Sequence, residues 1–311
     1  MARAFLFPGQ GSQAVGMGAA LSDTFPSARA VFEEVDEALG QKLSALMRDG
    51  PMEDLTLTAN TQPALMAHSI AAYRVLEEEA GVKVEDAMFV AGHSLGEYSA
   101  LCAARAISLA DTARLLRIRG EAMQAAVPVG EGAMAALIGI DLDGAQKAIE
   151  GVPGGGICEI ANDNAPGQVV ISGEKAAVEA VCASAKEYGA KLAKLLPVSA
   201  PFHSSLMQPA ADSMAQALGE TTINAPATAL VANVTAQPTK SPDEIRDLLV
   251  KQVTGRVRWT ESVRLMAEKG CDDFVEVGSG KVLSGLIKRI AKGTSTVNVG
   301  EPDDVSAFTG A

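Results

Sequence analysis

The chain has 311 residues, 48% of them hydrophobic, 21% charged and only 4% aromatic. That balance excludes a disordered or fibrous protein, and an aliphatic, Ala-rich apolar mass suits helices packed on a sheet better than an aromatic-rich β-sandwich. A net charge of −12 argues against a nucleic-acid partner, because such affinity comes largely from counterions displaced by basic side chains; any anionic partner needs a local basic patch.

The N-terminal run to Phe7 is cut by Pro8-Gly9, which is too short for a secretory signal core. No stretch reaches the roughly 18 apolar residues of a membrane span, so no membrane partner is expected. Cys102, Cys158, Cys182 and Cys271 match neither a zinc spacing nor a C-x-x-C pair and read as the reduced thiols of a cytoplasmic protein.

In chain order, Arg3 to Phe7 reads as a buried strand, Gln62 to Ala80 as a helix and Ala87 to Ala91 as a second strand. Helices follow over Leu95 to Arg105 and Leu109 to Ala126. Past Val127-Pro128-Val129-Gly130 the texture changes to strand 133–138, helix 141–150, strands 157–161 and 168–172, helix 175–188 and strand 191–198. That order is the βαββαβ of a ferredoxin-like unit. The larger pattern then resumes, with helices near 204–218, 242–253, 258–269 and 281–291 and strands near 229–233 and 274–277. The expected architecture is α/β: a parallel-sheet, α/β-hydrolase-like catalytic domain (1–127 and 200–311) carrying an inserted ferredoxin-like small domain (128–199), with a cleft between them where substrates bind.

Gly92-His93-Ser94-Leu95-Gly96 is a G-x-S-x-G between a strand and a helix. In that setting it predicts a nucleophile elbow, with Ser94 exposed above the sheet and the Leu95 N–H aimed at a reacting oxyanion. A serine at neutral pH needs a general base, and the chain holds three histidines, His68, His93 and His203. His68 sits inside a helix, and His93 adjoins Ser94 on a sharp turn where neighbouring side chains diverge. His203, on a proline-stiffened loop re-entering the large domain, is the candidate. Asp141, Asp143 and Asp163 fall between Ser94 and His203 but belong to the small domain, and none is expected to complete a triad. Gly9-x-Gly11-x-x-Ala14 mimics a dinucleotide fingerprint, but Pro8 and Pro26 disturb its spacing, which favours a loop that brings a Gln amide to the oxyanion. Arg117 and Arg119 flank an apolar helix, and one fixed guanidinium facing the cleft would pair with a carboxylate. Between Val277 and Gly300 there is no acidic residue, while Lys281, Lys288, Arg289 and Lys292 occur, which makes a candidate docking patch for an acidic partner.

Phe7-Pro8-Gly9-Gln10-Gly11-Ser12-Gln13, Gly92 to Tyr98, Arg117 to Gly120, Val198 to Ser204 and Glu276-Val277-Gly278 together resemble the malonyl-CoA:acyl carrier protein transacylases of bacterial fatty acid synthesis, from residue 3 to about 300. The resemblance implies Ser94 as nucleophile, His203 as base and Arg119 as clamp for the malonyl carboxylate. It also implies an oxyanion hole from the backbone N–H groups of Gln10 and Leu95, and a backbone carbonyl of Gln252 that orients His203. Phe202 beside His203 agrees with the malonyl-selecting form of related acyltransferases, in which a bulky ring crowds an α-methyl branch. Malonyl-CoA and acyl carrier protein are then the partners, and no metal or redox cofactor is expected. A serine thioesterase and a non-catalytic acyl-CoA binding module remain the alternatives.

Overall fold

The computed structural model describes residues 2–152, 155–198 and 200–310. Ser199, within the loop read over Val198 to Ser204 and at one expected domain limit, lies outside the described residues, as do the expected outer limits at 1 and 311. Among the described residues ten strands form two sheets. They are β1 (Arg3–Phe7), β2 (Phe89–Gly92), β3 (Gly132–Ile138), β4 (Cys158–Ala165), β5 (Gln168–Glu174), β6 (Leu192–Leu195), β7 (Ala229–Val231), β8 (Pro238–Thr239), β9 (Asp273–Val277) and β10 (Ser295–Val299). The larger sheet runs β10-β9-β1-β2-β7-β8 and is parallel except for the β7–β8 pair, whereas the smaller runs β4-β5-β3-β6 and is antiparallel throughout.

The large sheet is covered on both faces, as the apolar run Ala-Phe-Leu-Phe that follows Arg3 in β1 requires. Successive side chains of a strand point to opposite faces. Phe5 and Phe7 therefore enter one core, edge-on to Tyr73 at 5.5 and 6.3 Å, while Ala4 and Leu6 join Trp259, Phe274 and Leu283 in the other. Burying each ring stabilises the sheet by about 1.5–3 kcal/mol. The small sheet has its own core of Leu137, Ile171, Val178 and Val181 beneath its two helices. A short parallel bridge ties β4 to the segment just before the helix Trp259–Glu268, Asp163 N–H donating to the Val257 carbonyl at 3.0 Å and Val257 N–H to that of Ala161 at 2.8 Å. At the far end Arg289 donates to Gln168 Oε1 and the Pro166 carbonyl at 2.6 and 2.7 Å.

The βαββαβ order is present in the small sheet, with its helices at Leu142–Glu150 and Lys175–Ser184. Where the sequence predicts one helix through 175–188, the last turn tightens into a 3₁₀ segment, Ala185–Tyr188. The helix expected to open at Gln62 begins at Thr58 instead, because the Leu57 carbonyl accepts from the N–H groups of both Asn60 and Thr61 at 2.8 Å and builds a turn ahead of Pro63. Four helices between Ala19 and Thr56, the strand β10 and a terminal helix Pro302–Thr309 occupy stretches where the sequence pattern placed no element. Pro26, read as a break, is the first residue of the helix Pro26–Leu39, a position where its missing N–H costs nothing. No helix among the described residues is long and apolar enough to cross a membrane.

Candidate active site

β2 ends at Gly92 and the next helix, Gly96–Ala103, starts four residues on. Ser94 sits between them at φ 53°, a left-handed conformation that a side-chain-bearing residue holds only where its surroundings enforce it. Asn233 supplies part of that enforcement: its Oδ1 accepts from Ser94 N–H at 2.8 Å while its Nδ2 donates to the Gly92 carbonyl at 2.7 Å. The turn also closes too tightly for side chains at its ends. A Cβ on Gly92 would lie 1.9 Å from the Gly96 carbonyl, and one on Gly96 would lie 2.2 Å from the Phe7 oxygen.

Ser94 Oγ meets His203 Nε2 at 2.8 Å. On the far side of the ring, Nδ1 faces the carbonyls of Gln252 and Gly255 at 2.9 and 3.1 Å. Carbonyls only accept, so Nδ1 carries the proton and Nε2 is left as the acceptor for the serine hydroxyl. Backbone oxygens thus do the orienting that a carboxylate does in a Ser-His-Asp triad. Asp141 instead caps its own helix through Gly144 N–H at 2.8 Å, Asp143 pairs with Lys147 at 2.6 Å, and Asp163 accepts from the Thr260 hydroxyl at 2.8 Å. Burial and the neighbouring Arg119 cation push the His203 imidazole down to about 3, so the ring is neutral at physiological pH.

The two arginines face different ways. Arg117 points outward to Asn60 and Gln41 at 2.7 and 2.5 Å. Arg119 is buried, donating to Gln62 Oε1 at 2.6 Å, Gln252 Oε1 at 2.9 Å and Ser94 Oγ at 3.2 Å. Burial pushes its guanidinium below the usual range, yet an arginine keeps its charge.

These groups line a cleft of about 460 Å³ between the two sheets, together with Gln10, Leu95 and Phe202. The Gln10 side chain is tied to the Thr58 hydroxyl at 3.0 Å, and neither Gln10 nor Leu95 donates a backbone N–H bond to another described residue. His93, next to Ser94, bonds across the cleft to Asn164 Oδ1 of β4 at 2.8 Å, and its burial pushes the ring below the ordinary histidine value. His68 lies in the core with Nε2 on the Gly300 carbonyl at 2.8 Å. Lys281, Lys288, Arg289 and Lys292 are all exposed, although Arg289 is committed to the β4–β5 turn.

A family model for the acyl transferase domain matches residues 4–301. The malonyl CoA-acyl carrier protein transacylase of Escherichia coli strain K12 is 48% identical over 98% of this chain and 97% of its own. This chain belongs to the malonyl-CoA:acyl carrier protein transacylase family. A solved acyl-carrier-protein S-malonyltransferase from Bartonella henselae superposes with a TM-score of 0.96 at 56% identity, over 100% of both chains. A malonyl-transacylase solved in complex with its type II PKS acyl-carrier protein superposes equally well, with a TM-score of 0.96 at 43% identity over 100% of both chains. Within this transacylase fold, sequence reasoning missed Gln62, Asn233 and Glu97. Glu97 alone had a local signal, lying one helical turn after Ser94. Gln62 and Asn233 reach the site from distant segments through the fold.

Proposed function

We propose that the chain transfers the malonyl group from malonyl-CoA to the phosphopantetheine thiol of acyl carrier protein through a malonyl ester on Ser94. The observation that carries this reading is a single oxygen: Ser94 Oγ lies 2.8 Å from His203 Nε2 and 3.2 Å from the buried guanidinium of Arg119. Nucleophile, base and carboxylate clamp converge there.

His203 takes the hydroxyl proton as Ser94 attacks the thioester carbonyl, and the oxyanion is held by the backbone N–H groups of Gln10 and Leu95. Collapse breaks the C–S bond, and His203 returns the proton to the CoA sulfur. Arg119 holds the malonyl carboxylate through paired N–H donors, and Phe202 crowds the α-carbon. The second half-reaction mirrors the first: His203 deprotonates the carrier-protein thiol, which displaces Ser94. One thioester replaces another, so the protein supplies rate and selectivity rather than driving force. No metal or redox cofactor enters this scheme.

The cleft is supplied jointly by a catalytic domain (1–127 and 200–311) and a small domain (128–199), the latter contributing Asn162, Asn164 and Val198 to the lining. The carrier protein docks on the basic surface of Lys281, Lys288, Arg289 and Lys292, a role supported by their exposure. A cytoplasmic location is supported by the four free thiols, as expected of a reducing compartment.

Mass spectrometry after brief incubation with malonyl-CoA tests the mechanism. A malonyl adduct on Ser94, formed with one burst of CoA and absent in Ser94→Ala, is the expected result. Steady CoA release with no stable adduct would place the chain among the thioesterases.

A further inference from the structure

Arg119 is buried among neutral acceptors only, Gln62, Gln252 and Ser94. A buried cation without a counter-ion is costly. The carboxylate that acts on it is Glu97, one side chain removed: Gln252 Nε2 donates to Glu97 Oε2 at 2.7 Å while Gln252 Oε1 accepts from Arg119 at 2.9 Å. Glu97 is itself buried, and its second oxygen, Oε1, has no hydrogen-bond partner among the described residues. A carboxylate fixed as a permanent anion would have both oxygens satisfied.

We infer that Glu97 is a specificity-determining residue of the malonyl site, the buried counter-charge that offsets Arg119 in the empty cleft and takes up a proton when an acyl carboxylate docks. The inference rests on Arg119 being the clamp. Arg119 and ionised Glu97 sum to zero, so a malonyl carboxylate would leave the buried site one negative charge in excess, and protonation of Glu97 removes that excess. The proton comes from solvent. The loading step itself balances without it, because Ser94 hydroxyl and malonyl thioester give ester and CoA thiol, and a thiol with a pKa of about 8.5 or above keeps its proton near neutrality.

Burial holds Glu97 up to about 7, against the lowering effects of Gln252, Asn233 and Arg119. The ionisable groups that bear on it are Arg119 and, in its own helix, Tyr98. From the other packed elements, His68 and Tyr73 of the helix Thr58–Ala80 are occupied with Gly300 and with the Phe5 and Phe7 rings, Arg3 of β1 pairs with Asp273, and β2 has no ionisable side chain. His203 is neutral across the same range.

The test is proton uptake by the wild-type protein, followed with an indicator dye in weak buffer near pH 7. Malonyl loading should take up on the order of half a proton per site, and acetyl-CoA loading none. In parallel, kcat/KM for malonyl loading should fall roughly tenfold from about pH 6 to about pH 8 as Glu97 ionises. Glu97→Gln should flatten that profile and exceed wild type at the alkaline end, with acetyl loading flat in both. Absence of proton uptake in the wild type overturns the inference, and needs no variant to fold. An unchanged malonyl profile in Glu97→Gln, or equal losses for the two donors, overturns it too. Arg119→Ala separates the two layers. If it spares acetyl but not malonyl loading while proton uptake is missing, the clamp stands and only Glu97's role falls; if it affects both donors alike, clamp and counter-charge fall together.

Discussion

The two walls of the cleft are chemically unlike. The large-sheet wall supplies every ionisable group that lines it, His93, Arg119 and His203, along with Ser94, whereas the small-sheet wall supplies the amides Asn162 and Asn164 and the aliphatic surface of Met134, Val170, Leu196 and Val198. In the proposed mechanism, proton transfer and charge recognition therefore reside on one wall. The other wall shapes and closes the space, and damage to the two walls should have different kinetic signatures.

The largest effect belongs to the reactive wall. His203→Ala should slow the CoA burst by roughly 10²- to 10⁴-fold, the usual worth of a positioned base, while slowly placing label on Ser94. In the wild type the burst at saturating malonyl-CoA should stay level as pH drops from about 7 to about 5. A base works only when unprotonated, and His203, pushed down to about 3, gains its proton far below the ordinary histidine range. A loss centred near pH 6.5 in stopped-flow traces would contradict the buried, neutral ring.

Arg119→Ala comes next, with about 2–5 kcal/mol lost from kcat/KM for malonyl-CoA and little or none for acetyl-CoA, as a competition assay between the two donors would read. Across the cleft the expected effect is smaller. Asn164→Ala removes the partner of His93, a hydrogen bond worth about 0.5–1.5 kcal/mol, and should change loading less than about tenfold while the Ser94 adduct still forms. Smallest is charge reversal outside the cleft. Lys288→Glu should raise KM for the carrier protein by a few-fold at low salt, with the difference fading as salt screens exposed charges and with malonyl loading from CoA unchanged.

How much of this was legible in sequence follows from where each signal is stored. The elbow is local: strand, G-x-S-x-G and helix occupy adjacent residues, so Ser94 and the Leu95 N–H could be placed directly. His203 was reachable by elimination among three histidines. The choice of Arg119 over Arg117 was not, because two residues apart on a helix they differ only in which way they face, and packing decides that. The carbonyls of Gln252 and Gly255 carry no side-chain signature: the first entered only through resemblance, and the second came only with the structure. The βαββαβ order was readable because its strands alternate with amphipathic helices, whereas the early helices between Ala19 and Thr56, three of them of seven residues or fewer, are Pro- and Gly-punctuated and stabilised by the tertiary core around Leu21, Phe32, Leu43 and Leu55. Glu97, Asn233 and Gln62 matter through contacts between residues 57 to 155 apart in sequence, a separation at which no periodicity operates.

Ser94 and His203 are two of only four non-glycine described residues with positive φ, at 53° and 57°. Each such conformation costs about 1–2 kcal/mol relative to one that side chains favour. Glycine relaxes there without steric penalty, so a population selected for heat resistance alone would drift towards glycine at position 94, where only a hydroxymethyl group is lost, and become sturdier as it became inert. Turnover is what keeps this centre under tension, and an inactive Ser94→Gly chain that melts later than its parent would be the mark of that history.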